Sequence, residues 1–208
     1  MTNPKNPKIV IIDYGVGNLR SVLNAMTYLG VNAQITADPE EIKKSDGLIL
    51  PGQGAFHEGM QNLEKMGLVD HIKDHIQNNG LFIGICLGFQ LLFEGSEESP
   101  GQTGLGVFKG QFRKFDDSDK KVPHMGWNEL DIISDPEHRL PETTKKPSVY
   151  FAHSYYLPIT DTDINMTTTE YKEQFVSTIQ TKNLLATQYH PEKSGEFGLM
   201  LLRNSVLK

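Results

Sequence analysis

The chain has 208 residues, of which 38% are apolar and 22% charged, with 19 glycines and 11 prolines. That suffices for one ordinary domain with a substantial core and excludes wholesale disorder, a collagen-like repeat or a coiled coil. Lys and Arg number 20 against 26 Asp and Glu, a net charge of −6, which argues against a phosphate-tracking surface and hence against a nucleic-acid partner.

One cysteine excludes an intramolecular disulfide and fits a reducing compartment, so a cytoplasmic protein is expected. The opening stretch MTNPKNPKIVIIDYG reaches Asp13 after four consecutive apolar residues, too few for a signal-peptide core or a membrane span. No membrane association is expected.

KIVIID (8–13) is an apolar run suited to a strand buried on both faces. In GNLRSVLNAMTYLG, Leu19, Val22, Leu23, Met26 and Leu29 recur at helical spacing, and Gly30 suits the left-handed position after the helix. VNAQIT (31–36) reads as a strand, PEEIKKS (39–45) as a short helix, and GLILP (47–51) as a third strand. Two helical segments, 55–67 and 68–80, lead to the strand LFIGI (81–85) and the helix LGFQLLFE (87–94). GSEESPGQTGLG (95–106) is a polar loop, after which VFKGQF, NELDII, SVYFAHSYYL, FVSTIQ and LLATQYH read as strands in succession. SGEFGLMLLRNSVLK (194–208) closes the chain as a helix, with Ser194 as its N-cap and Phe197, Met200 and Leu201 as its inner stripe. The expected architecture is α/β: one domain over residues 1–208, three-layered, with helices on both faces of a mixed, mostly parallel sheet and a β-rich second half.

A lone cysteine is usually a small buried hydrophobe. Cys86, however, sits at a strand-to-helix joint inside G-I-C-L-G, the nucleophile-elbow pattern with sulfur in place of oxygen. Gly84 and Gly88 remove side chains that would collide in so sharp a turn, and the helix N-terminus favours thiolate over thiol. Among seven histidines, His190 in LLATQYHPE is the best placed base. Strand periodicity puts Glu192 on its side, where a carboxylate can hold Nδ1, so a Cys86–His190–Glu192 triad is expected. An oxyanion hole would take the N–H of Leu87 and donors from Gly52, Gln53 and Gly54 in PGQGAF. His71 and His75, one helical turn apart, lack a third ligand and read as a solvated face rather than a metal pair. G-V-G-N-L-R after the first strand imitates a dinucleotide loop, but Arg20 stands at the third Gly position. No cofactor and no metal is assigned.

GICLGFQLLFE, PGQGAF and QYHPEKSG together resemble the class I, triad-type glutamine amidotransferases. More narrowly, DYGVGNLRSV, VPHMGWN, FAHSYY and HPEKSGEFG resemble the glutaminase subunits of imidazole glycerol phosphate synthase. The resemblance implies a flavodoxin-like three-layer fold and attack of Cys86 on the side-chain amide of L-glutamine, with ammonia leaving and a glutamyl thioester hydrolysed to glutamate. It also implies glutamine contacts at Gln90, Glu98, Ser154 and Tyr155. Ammonia must then pass to a (β/α)8-barrel cyclase partner in a heterodimer, with Asn18, Met125, Trp127 and Lys193 on the docking face. Trp127, in a Gly-flanked turn, would otherwise be a core residue. Gln53 stands where such proteins commonly carry valine, at a peptide that the family is thought to reorient when its partner is loaded. Three rival readings remain at this level: a glutaminase serving a paralogous cyclase, a stand-alone cysteine amide hydrolase, and a degenerate binding module without activity, which conflicts with the presence of all three triad residues.

Overall fold

The computed structural model describes residues 7–116, 118, 121–143, 145–159 and 164–207. Residues 1–6, part of the stretch read for a leader, and Lys208, the end of the expected closing helix, lie outside the described residues.

The first half alternates as the sequence patterns require: β1 (Ile9–Ile12), α1 (Leu19–Tyr28), β2 (Ala33–Thr36), α2 (Pro39–Lys43), β3 (Gly47–Leu50), α3 (Phe56–Lys65), α4 (Val69–Gln77), β4 (Leu81–Ile85) and α5 (Leu87–Leu91). α1 ends in a Schellman motif. Gly30, at φ 71°, takes the left-handed position, and the N–H groups of Val31 and Gly30 close on the carbonyls of Met26 and Thr27. β1, β2, β3 and β4 form a parallel sheet in the order β2-β1-β3-β4, joined at the β4 edge by the last strand, β13 (Leu184–Thr187). Side chains alternate across β1: Val10 and Ile12 pack with Phe56, Met60, Leu63 and Ile72 on one face, Ile9 and Ile11 with Val22, Met26, Leu202 and Val206 on the other. Each apolar strand is thus covered by helices on both sides, which is why its sequence is continuous rather than alternating.

The second half contributes β5 (Gly95–Ser96), β6 (Gln111–Lys114), β7 (His124–Glu129), β8 (Asp131–Ile132), β9 (Ser148–His153), β10 (Tyr155–Pro158), β11 (Asn165–Tyr171) and β12 (Glu173–Gln180). The large sheet runs on from β13 through β12, β10, β6 and β5, with β11 pairing both β12 and β8. These pairings are antiparallel except β5–β6. β7 and β9 form a separate antiparallel pair. Phe115, Phe151, Phe175, Tyr156, Tyr189 and Leu201 fill a third cluster beneath them.

Several boundaries differ from the sequence reading. SVYFAHSYYL is two strands, broken at Ser154, where the chain leaves the β7–β9 pair for the large sheet. NELDII is divided between β7 and β8, and VFKGQF forms a strand only from Gln111. Trp127 lies in β7 rather than a turn. β11 carried no apolar run. Its Thr167 and Thr169 are buried because they bond Ser177 and Thr178 across the ladder. α6 (Gly195–Leu207) buries Gly198, Leu201, Leu202, Ser205 and Val206, while Phe197 and Met200 are only partly covered. The Ser194 hydroxyl does not cap it, since that oxygen donates to the His190 carbonyl and accepts from the Tyr150 N–H. No helix among the described residues is long and apolar enough to cross a membrane.

Candidate active site

The β4–α5 joint has the expected elbow. Cys86 adopts φ 53° and ψ −102°, a conformation that costs a non-glycine residue on the order of 1–3 kcal/mol and survives only where the surroundings impose it. Those surroundings explain the flanking glycines. A Cβ on Gly88 would lie 1.8 Å from the Leu50 carbonyl oxygen, and one on Gly84 would lie 3.0 Å from the Gly88 carbonyl oxygen. The Cys86 N–H is fixed on the Thr187 carbonyl at 2.8 Å.

His190 and Glu192 come together by a route other than strand alternation. β13 stops at Thr187 and Pro191 opens a 3-10 turn, Pro191–Lys193, so the pair sits on a tight turn. His190 Nδ1 lies 2.9 Å from Glu192 Oε1, with both side chains almost fully buried. The opposite ring nitrogen, Nε2, is buried without a hydrogen-bond partner of its own, as is Glu192 Oε2. Burial of the ring disfavours its charged form. The charge of the neighbouring Cys86, hydrogen bonding and the charge of Glu192 outweigh that penalty and hold the His190 pKa well above the ordinary histidine value.

A cavity of about 160 Å³ opens over the sulfur, lined by Gln53, Gly54, Cys86, Leu87, Gln90, Glu98, Pro123, Met125, Ala152, His153, Ser154 and Tyr155. The structure therefore collects the four expected substrate contacts on one cavity, along with the elbow and part of the loop after β3. Gln90 is buried and donates to Gln188 Oε1 at 3.3 Å. Glu98 anchors α3 by accepting the Phe56 N–H at 2.7 Å. A separate cavity of about 770 Å³ between α1 and α6 holds none of these residues.

The oxyanion donors are present but not free. The Leu87 N–H bonds the Gly52 carbonyl at 3.3 Å, and that carbonyl belongs to the same peptide as the Gln53 N–H. Gly52 itself is wedged: a Cβ there would lie 2.3 Å from the Tyr14 hydroxyl and 2.7 Å from Leu87 Cβ. Tyr14 donates to the Pro51 carbonyl at 2.6 Å. Its phenol stays neutral, because burial first and the charge of Cys86 second push its pKa far up.

Of the expected docking residues, Asn18 is exposed and caps α1 by accepting the Ser21 N–H. Met125 and Trp127 are 63% and 59% exposed on one face of β7, so Trp127 is no core residue. Lys193 is half-buried on the 3-10 turn. His75 is not a solvated residue, since its half-buried ring bonds the Leu81 carbonyl at 3.0 Å. Among the described residues no group of three or more His, Cys, Asp or Glu is arranged to hold a metal ion. Gly17 of the loop after β1 packs on the Gly52 backbone, where a Cβ would lie 2.9 Å from its Cα.

Sequence patterns did not single out Gln188, Tyr14, His153 or the Ala152 carbonyl, which lies 3.8 Å from the sulfur. Gln188 Nε2 also approaches the sulfur at 3.8 Å. Its place two residues before His190 was the one available signal.

This fold, with a strained cysteine at a strand–helix elbow and a buried His–Glu pair behind it, defines a triad-type cysteine amidotransferase architecture. The family model described as glutamine amidotransferase class-I matches residues 10–208, and the chain belongs to that family. Similar curated proteins include the imidazole glycerol phosphate synthase subunit HisH of Caldanaerobacter subterraneus, 46% identical with 94% of this chain and 96% of the relative covered. That of Halalkalibacterium halodurans is 44% identical, covering 93% and 92%. The imidazole glycerol phosphate synthase hisHF of Schizosaccharomyces pombe is 42% identical over 94% of this chain but only 37% of its own length. Among solved structures, a glutamine amidotransferase shares the fold at a TM-score of 0.72 and 17% identity, covering 95% of this chain and 99% of that one.

Proposed function

We propose that this single domain is the glutaminase subunit of a cytoplasmic imidazole glycerol phosphate synthase, releasing ammonia from L-glutamine for a separate cyclase subunit in histidine biosynthesis. The observation that carries the reading is the strained Cys86 on the cavity floor, with His190 held by Glu192 behind it, in a chain whose full-length relatives bear that enzyme's name.

Cys86 thiolate attacks the carboxamide carbon, and the carbonyl electron pair moves onto oxygen. The His190 imidazolium, favoured by its raised pKa, gives its Nε2 proton to the amide nitrogen. Ammonia leaves as the oxyanion collapses to a glutamyl thioester. Neutral His190 then takes a proton from water, hydroxide adds to the thioester, and glutamate departs with the Cys86 thiolate restored. Glu192 accepts the Nδ1–H throughout and fixes the ring. Gln90, Glu98, Ser154 and Tyr155 line the space for the glutamine body.

The oxyanion needs two donors, and a single peptide rotation supplies both. Turning the Gly52–Gln53 peptide frees the Leu87 N–H from the Gly52 carbonyl and brings the Gln53 N–H to the same place. The resting arrangement is thus closed, which suits a subunit that works only on demand. The partner we propose is a (β/α)8-barrel cyclase docked on Asn18, Met125, Trp127 and Lys193. It would use the ammonia to make imidazole glycerol phosphate and aminoimidazole carboxamide ribotide. Support for such a partner comes from the Schizosaccharomyces relative, in which the matching segment is joined to further chain.

The test is a glutaminase assay with and without the cyclase and its nucleotide substrate. Glutamate release should be weak alone and rise at least about a hundredfold in the loaded complex, the size of effect one oxyanion donor supplies. Full-rate hydrolysis without any partner would instead favour a stand-alone amide hydrolase.

A further inference from the structure

β7 presents Met125 and Trp127 outward and His124 inward, where His124 faces His153 across the strand pair. The two rings are hydrogen-bonded, His124 Nδ1 to His153 Nε2 at 2.9 Å. The ends of the chain fix its direction. His153 Nδ1 lies 2.8 Å from the Tyr155 carbonyl, which can only accept, so Nδ1 carries the proton and Nε2 does not. His124 must then donate from Nδ1, leaving its Nε2 to accept from the Asn128 amide at 3.3 Å. The Asn128 amide orientation agrees, its Nδ2 also donating to the Glu170 carbonyl and its Oδ1 accepting the Glu129 N–H.

Burial keeps the His153 ring neutral, and aromatic rings flank both histidines. His124 stacks on Tyr171 at 3.9 Å and on Phe151 at 4.6 Å between ring centroids, and His153 packs against Phe115 and Phe175. The last bond of the series spans Ser154, the residue at which the chain changes sheets. Ser154 and Tyr155 form one wall of the cavity over Cys86, and Ala152 and His153 adjoin them.

We propose that Asn128, His124 and His153 form a one-directional hydrogen-bond relay that holds the Ser154–Tyr155 corner in register for substrate. His124, which does not line the cavity, is on this account a positioning residue. The inference rests on the reading of that cavity as the glutamine site. It also joins β7, whose outer face is the proposed docking surface, to the substrate wall without passing through the catalytic triad.

The discriminating pair is His124→Asn and His124→Gln. The asparagine amide places an N–H at the level of Nδ1 and keeps the donation to His153. The glutamine amide sits one bond further out and loses it. In the loaded complex, His124→Asn should keep a glutamine KM within about twofold of the parent. His124→Gln should raise it about tenfold with kcat little changed, the worth of roughly one net hydrogen bond. Equal KM values for parent and both variants overturn the relay, as does a KM raised more than about fivefold in His124→Asn alone. Nitrogen-15 spectra of the unmodified protein give a second readout that does not depend on activity: both rings should be neutral and protonated on Nδ1. A proton on Nε2 of either ring refutes the relay even if the KM values follow expectation. If the parent complex with its nucleotide substrate releases no glutamate from glutamine, the functional reading fails, while the nitrogen spectra still decide the relay.

Discussion

Acid should unfold this protein through His153 in a way that can be isolated. Burial of the ring, and secondarily the nearby His124, depress its pKa from 6.5 to about 3, with the bond to the Tyr155 carbonyl only partly opposing this. Between those values the unfolded chain binds a proton that the folded protein refuses. The contribution of His153 is therefore complete above the unfolded pKa and is lost as pH falls toward the folded one. The slope is about 1.4 kcal/mol per pH unit for one proton, so about 2 kcal/mol disappears between about pH 7 and pH 5. A folded pKa one unit higher would leave that figure nearly unchanged. Urea unfolding at the two pH values, in the parent and in His153→Gln, measures it. The variant should start less stable at pH 7 but lose about 2 kcal/mol less on acidification. His190 titrates in both proteins, so its opposite contribution cancels in the comparison. Equal acid losses would refute the reasoning.

Other expectations follow from the elbow and the proposed docking face. Cys86→Gly should be more stable than Cys86→Ala by about 1 kcal/mol, because glycine accepts the left-handed backbone at no cost; equal melting temperatures would contradict the strain. Gly88→Ala should destabilise by about 3 kcal/mol or prevent folding, since its methyl would meet the Leu50 carbonyl. An unchanged urea midpoint would show that the joint can relax. Cys86→Ala should abolish glutamine-dependent synthesis while the cyclase still works on added ammonium salts. Trp127→Ala and Lys193→Ala should lower cyclase-stimulated turnover about tenfold or more with little effect on the basal glutaminase rate; equal losses in both assays would remove them from the interface.

Local patterns made the first half of the fold legible. Runs such as KIVIID and LFIGI are buried on both faces, and Leu19, Val22 and Met26 keep a helical period. The elbow was legible for the same reason: Gly84, Cys86 and Gly88 are near neighbours whose spacing has a steric cause. The second half was harder. β11 is stabilised by buried hydroxyls that pair with β12, so its NMTTTEY looks like loop until Ser177 and Thr178 are placed beside it. The corner at Ser154 carries neither glycine nor proline, and no sequence pattern singles out the bond from His153 to the Tyr155 carbonyl that spans it. Glu192 meets His190 through a proline-led turn, although the two-residue spacing had suggested a strand. Tyr14 and Gln188 act on partners far along the chain, and apart from the nearness of Gln188 to His190 nothing adjacent in sequence announces them.

The most direct test is to trap the acyl-enzyme. The complex, with its cyclase and nucleotide substrate, is mixed with glutamine, quenched in acid within a turnover and digested for mass spectrometry. One glutamyl group should be found on the peptide carrying Cys86, far less of it when the cyclase is omitted, and none in Cys86→Ala. Rapid glutamate production with no adduct on Cys86, or an adduct on another side chain, would contradict the assignment of that sulfur as the nucleophile.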